Sequence, residues 1–249
     1  MPSTRTTHAG DADHLGADAV RYGPGLPPEG ELKLLGHVEG RRVLLLGCGG
    51  PPGASAASGA ASTSGVEAPG AVVLAAAGAR VIVVDPDADD LAATREMAER
   101  AGVRVETHQG PPAELAFVRA DTIDLALSVY GLAAVDDLDR VFRQVHRVLR
   151  PDRPLVLSLP HPAFAMLDAA GEAPLVHRTW WDPSPALPAD ATSRPRTPAV
   201  LFAALGRANF RVDALLEPPA GESLAGSHWS EAMRWVPPSL ILRARKQGY

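Results

Sequence analysis

The feature that most narrows the fold is an uninterrupted apolar run, Val43-Leu44-Leu45-Leu46, which follows two arginines and ends at Gly47-Cys48-Gly49-Gly50. A strand that is apolar at every position is covered on both faces, the situation of a strand inside a parallel sheet. Glycines directly after it let the backbone turn tightly and approach a ligand where a Cβ would collide. A second run, Val81-Ile82-Val83-Val84, is β-branched and ends on an acid, Asp85. The two runs enclose an apolar stretch, Ala71 to Ala77, closed by Gly78, so the unit reads as strand, loop, helix, strand.

The alternation continues down the chain. Asp87 can cap a helix whose Leu91, Thr94, Ala98 and Ala101 share one face and which Gly102 closes. Strands are expected at Val103 to Thr107, Ile123 to Ser128 and Leu155 to Leu159. Between the last two, Asp136 or Asp137 opens a helix that carries Leu138, Val141, Phe142, Val145, Val148 and Leu149 on one face and stops at Pro151. A helix over about residues 199–208 and strands at Phe210 to Leu216 and Ser239 to Ala244 complete the pattern. This order predicts an α/β fold: a doubly wound, mainly parallel seven-stranded sheet of Rossmann-like type with an antiparallel last strand. Ligands in such sheets bind beyond the carboxyl ends of the central strands.

A chain of 249 residues with 46% hydrophobic residues fits one large domain with its own core. Residues 1–30 are expected to form a flexible leader and residues 31–249 the domain. Within it, residues 51–70 are Pro, Gly, Ala and Ser with few large side chains, the composition of a mobile insertion. Residues 160–198 are Pro-rich and irregular and suit a lid or substrate segment. A net charge of -5 lacks the basic stripe of a nucleic-acid binder, and no apolar run approaches a membrane span. The one cysteine, Cys48, excludes an internal disulfide or multi-cysteine metal site and fits a reducing, cytoplasmic setting. No paired histidines suggest a metal.

These segments resemble a known family. Val43 to Gly50 looks like motif I of the class I S-adenosylmethionine-dependent methyltransferases, and Gly78 to Asp85 like its second strand with the acid that holds the ribose diol. Ile123 to Gly131 is similar to the fourth motif, Val145 to Pro151 to the helix-to-strand segment, and Ala208-Asn209-Phe210 with Glu217-Pro218 to the closing elements. The resemblance implies S-adenosyl-L-methionine as cofactor and a small-molecule methyl acceptor. It implies cofactor contacts from Gly47, Cys48, Gly49, Gly50, Asp85, Pro86, Gln109 and Ser128. It also places Tyr130 and His161 at the transfer position, His161 as a proton acceptor because an imidazole titrates near neutrality.

Three departures from the family pattern stand out. Leu45 replaces the motif I acid, Pro111 and Pro112 stand where an acid usually receives the adenine amino group, and the insertion interrupts the glycine loop. The alternatives are therefore a methyltransferase-like binding protein with impaired catalysis and a nicotinamide-dependent oxidoreductase. The latter is disfavoured because the glycine spacing is not G-x-G-x-x-G. Plainer readings also stand for single residues: Asp85 as a helix cap, His161 as a turn histidine, Cys48 as a small turn residue, and Trp180, Trp181 and Trp229 as core filling or as the lining of an apolar pocket.

Overall fold

The computed structural model describes residues 16–23, 25–48, 70–168, 175–176, 196–220 and 231–248. The strands are β1 (Arg42–Leu46), β2 (Arg80–Asp85), β3 (Val105–Gln109), β4 (Leu125–Val129), β5 (Pro154–Pro160), the two-residue β6 (Leu167–Asp168) and β7 (Leu175–Val176), β8 (Phe210–Leu216) and β9 (Ser239–Lys246). The helices are α1 (Glu29–Leu32), α2 (Gly70–Ala76), α3 (Ala88–Arg100), α4 (Leu138–Val148), α5 (Pro162–Ala165) and α6 (Pro198–Arg207). Seven strands form one sheet in the order β3-β2-β1-β4-β5-β9-β8. β1 to β5 pair in parallel, and β9 is antiparallel to both of its neighbours, β5 and β8. β9 alone therefore runs against the rest, as the sequence predicts.

Burial on both faces explains the continuous apolar runs. Leu44 and Leu46 join Ile82, Val84, Phe142, Val145, Leu201 and Leu205 on one side of the sheet. Val43 and Leu45 join Val73, Leu74, Val81, Val83, Leu125 and Leu127 on the other. Each fully buried side chain of this kind stabilises the fold by about 1.5–3 kcal/mol. The helix starts follow local chemistry. Asp87 accepts from the backbone N–H groups of Asp89 and Asp90, and Asp137 from that of Arg140. β3 begins two residues later than the sequence suggests because the end of α3 uses those residues. Gly102 turns at φ 66, and Val103 N–H still donates to Ala98 O.

Residues 16–23 and 25–30 of the expected leader are packed against the domain. Val20, Tyr22 and Leu26 are buried in the second core cluster, and the Glu29 carboxylate is one of the groups that tie this segment down. Glu29 accepts from Tyr22 Oη at 2.6 Å, Leu34 N at 2.9 Å, Leu35 N at 2.7 Å and Gly36 N at 3.3 Å. Burial and the adjoining Glu29 carboxylate together hold the Tyr22 phenol above its ordinary pKa. The segment carries no helical or strand period, since its apolar residues stand singly among Gly and Pro, and for that reason it reads as a leader in sequence. The insertion, apart from Gly70 at the start of α2, and most of the expected lid lie outside the described residues.

At the sheet edge, β8 and β9 lose register between Val212 and Ala214. The intervening Asp213 accepts from Arg243 Nε at 2.8 Å and Arg245 Nε at 2.6 Å. Burial raises its pKa, but hydrogen bonds from Arg243 and Arg245 outweigh that, and the net shift is downward.

Two outcomes are expected. Glu29→Ala leaves buried donors without an acceptor at about 1–3 kcal/mol each, so urea unfolding should show a loss of at least ~3 kcal/mol, with a smaller loss for Glu29→Gln. Because the Asp213 pKa is depressed in the folded state, its stabilisation is present above the unfolded carboxylate value of about 3.9 and disappears as pH falls through the lower folded value. Urea midpoints of wild type and Asp213→Asn, measured from pH ~6 down to ~3, should therefore converge at the acid end.

Candidate cofactor and acceptor site

The strand order reverses between β1 and β4, and the loops leaving their carboxyl ends bound the crevice where doubly wound sheets bind ligands. Gly47 leaves β1 at φ 92, its N–H bonded to Val84 O at 2.8 Å. A Cβ on Gly47 would lie 2.5 Å from the Cα of Gly131, and one on Gly131 would lie 2.7 Å from the Cα of Gly47 and overlap the Leu46 carbonyl oxygen. The two turns thus meet backbone to backbone. Gly47 is required by this approach as well as by its positive φ.

Asp85, at the end of β2, is 7% exposed. Its Oδ2 accepts from Cys48 N at 2.7 Å and its Oδ1 from Asp87 N at 2.8 Å. The carboxylate is thereby fixed in orientation, with one further lone pair on each oxygen. Gln109 pairs with Asp85 across β2 and β3, and its Nε2 donates to Pro86 O at 3.3 Å. Ser128 Oγ donates to Leu46 O at 2.9 Å. Gly47, Cys48, Asp85, Pro86, Gln109 and Ser128 are therefore gathered at one edge. Gly49 and Gly50 lie outside the described residues. Leu45 is 1% exposed and packs in the core between Val83 and Leu127, so the missing acid is replaced by core. The Cys48 thiol is pushed up to about 12, first by burial and also by Asp85, against a lowering contribution from Thr94.

A second group of polar side chains gathers where β4 and β5 end and β9 begins. Tyr130 has φ 57, and its N–H donates to Ser158 O at 2.9 Å. Its phenol is hydrogen-bonded to Ser239 Oγ beside Gly23 and is pushed up to about 12 by burial. Ser158 Oγ donates to Tyr22 O. His161 is 5% exposed and caps α5: Nδ1 accepts from Ala163 N at 3.1 Å, and Nε2 lies 2.9 Å from Glu217 Oε1. With Nδ1 filled by an N–H donor, the ring proton resides on Nε2 and is donated to Glu217. The imidazole lone pair expected to accept a proton is already committed to the backbone.

Sequence reasoning missed Gly23, Ser158, Ser239 and the partnership of Glu217 with His161. The one available signal was that His161 and Glu217 each precede a proline at a strand end. Trp180, Trp181 and Trp229 lie outside the described residues.

A thiol titrating near 12 holds about a thousandfold less thiolate at pH 8 than a free cysteine, so the folded protein should react with a disulfide reagent at least ~100-fold more slowly than the urea-unfolded chain. Equal rates would show that Cys48 is not enclosed. Gly131→Ala should lower stability by about 1–3 kcal/mol or more, because the clash is with backbone atoms that have no room to yield, as thermal unfolding will show.

Comparison with known proteins agrees with this architecture. The model of a family described as methyltransferase domain matches residues 68–152. A relative named as an uncharacterized methyltransferase, YbaJ of Bacillus subtilis (strain 168), is 28% identical over 131 residues, which is 53% of this chain but only 45% of that protein, so the match spans under half of the relative. An S-adenosylmethionine-dependent methyltransferase of Mesorhizobium loti has the same fold at a TM-score of 0.62 and 21% identity, covering 86% of this chain and 95% of that one. The 1,6-didemethyltoxoflavin-N1-methyltransferase of Burkholderia thailandensis, solved with 1,6-didemethyltoxoflavin and S-adenosylhomocysteine, aligns at a TM-score of 0.53 and 18% identity over 96% of this chain and 80% of that one. A sheet ordered β3-β2-β1-β4-β5-β9-β8, with a glycine turn beside an acid-terminated β2, gives this chain the fold of the S-adenosylmethionine-dependent methyltransferases it is similar to, and its residues 68–152 match the methyltransferase-domain model.

Proposed function

We propose that the protein transfers a methyl group from S-adenosylmethionine to a small-molecule acceptor at the carboxyl edge of the sheet. The observation that carries this reading is Asp85. It ends β2 beside the β1 turn, and Cys48 and Asp87 hold its two oxygens in place. A carboxylate so fixed fits a vicinal diol, with Gly47, Cys48 and Pro86 bordering it and Gln109 and Ser128 on the flanking strands. Gly49 and Gly50 complete the proposed set of contacts. Bound S-adenosylmethionine supplies an already activated methyl group, so the chain has to orient the acceptor, exclude water and receive any proton released.

The small-molecule acceptor is supported by the acidic net charge of -5 and by the Burkholderia enzyme, whose structure holds bound 1,6-didemethyltoxoflavin. The single cysteine, buried and unpaired, suits a cytoplasmic protein. A second reading, a binding protein of the same fold with impaired catalysis, is favoured by Leu45 and Pro111, which remove acids that family members use to hold the cofactor.

Calorimetric titration with S-adenosylhomocysteine tests the assignment. A hydrogen bond to a charged group contributes about 1.5–3 kcal/mol, so Asp85→Ala should weaken binding roughly ten- to a hundredfold. Asp85→Asn, which keeps one acceptor for Cys48 N–H or Asp87 N–H, should fall between the two. Absence of binding by the wild type, or equal affinity in Asp85→Ala, would sink the assignment. Binding without turnover would select the second reading.

A further inference from the structure

We propose that Glu217 takes the proton from the methyl acceptor and that His161 is the residue that positions it, an inference that rests on the methyl-transfer reading above. β9 separates β5 from β8 in the sheet. His161 follows the end of β5, and Glu217 follows the end of β8. Their hydrogen bond therefore spans the amino end of β9, where His161 N–H also donates to Pro238 O at 2.9 Å. The pair stands on three elements of the sheet and does not depend on a single loop.

The two partners differ in exposure and in spare bonding capacity. The His161 side chain is 7% exposed and that of Glu217 is 44% exposed. The imidazole has no remaining acceptor: Ala163 N–H fills Nδ1, and Nε2 donates. It acts as a fixed donor that holds Glu217 Oε1, and the second carboxylate oxygen has no partner among the described residues. The other polar groups at this end are committed and enclosed. Tyr130 and Ser239 bond to each other, Ser158 bonds to Tyr22 O, and all three are buried. Of these five side chains, Glu217 is the one that reaches solvent with acceptor capacity.

The step balances as follows. The acceptor's heteroatom uses a lone pair to bond the methyl carbon, and the sulfur–carbon bonding pair remains on sulfur. The acceptor's proton passes to the second Glu217 oxygen and then to water. The donated hydrogen bond from Nε2 keeps the carboxylate in place between turnovers.

The test compares wild type, Glu217→Gln, His161→Leu and His161→Gln. Simple phenols, primary amines and thiols are offered with S-adenosylmethionine, and S-adenosylhomocysteine formation is read. Calorimetry with S-adenosylhomocysteine and nitrogen-15 spectra of the His161 ring accompany the assays. The expected result is cofactor-product affinity within about twofold in all four proteins, with the ring proton on Nε2. Glu217→Gln should lower kcat about a hundredfold or more, the usual size of general base catalysis, with KM nearly unchanged. His161→Leu should lower kcat as well. His161→Gln, whose amide restores a donor to Glu217, should recover much of it, which loss of folding alone would not produce. Failure of the wild type to bind S-adenosylhomocysteine overturns the methyl-transfer reading and this inference with it. Binding together with wild-type turnover in Glu217→Gln, a ring proton on Nδ1, or no methylation of any panel member overturns the role of Glu217.

Discussion

The site depends on the contact between two turns that have no side chains where they meet. Gly47 and Gly131 bring the chain leaving β1 against the chain leaving β4, closer than any pair of ordinary residues allows. β4 can therefore stay beside β1 past their last paired residues, Leu45 and Leu127. Ser128 Oγ reaches the Leu46 carbonyl, and the next turn throws Tyr130 into the left-handed region toward Ser239. On the other side of β1, Asp85 takes the Cys48 N–H and fixes the same turn from β2. The crevice is shaped by backbone proximity, with polar side chains acting as ties.

How much of this was legible in sequence depended on the kind of physics involved. The strands at residues 42–46, 80–85 and 210–216 and the caps at Asp87 and Asp137 rest on period, burial and local hydrogen bonding, all of which leave marks within a few residues. Asp85 and the glycine turn could be placed because they follow such strands directly. The His161–Glu217 and Tyr130–Ser239 pairs join residues 56 and 109 apart, and no local pattern records a contact of that range. Val20, Tyr22 and Leu26 were hidden for another reason. Their burial comes from a segment held by the Glu29 carboxylate, and a strap of that kind has no repeat.

Leu45 shows a conflict between core and site. Packed between Val83 and Leu127 at 1% exposure, it completes an apolar face running from the amino-terminal segment to β5 and β9. A carboxylate there would have to leave water and find donors of its own. Leucine at this position favours packing over an anchoring charge and leaves Asp85 as the fixed acid beside the β1 turn. Where β5 and β8 end, the charge is arranged in the opposite way, with the imidazole enclosed and the carboxylate outward.

The bulge at Asp213 also affects how this molecule meets its own kind. β3 and β8 end the sheet, and an open edge offers a ladder of backbone groups on which a second copy could align. On β8 that ladder is out of step between Val212 and Ala214, and the residue at the fault is bound to two arginines of the neighbouring strand. On β3 the edge carries Glu106 and His108, bonded to each other. A chain approaching in strand conformation would find mismatched spacing on one side and paired polar groups on the other, features of a few residues that disfavour edge-to-edge pairing.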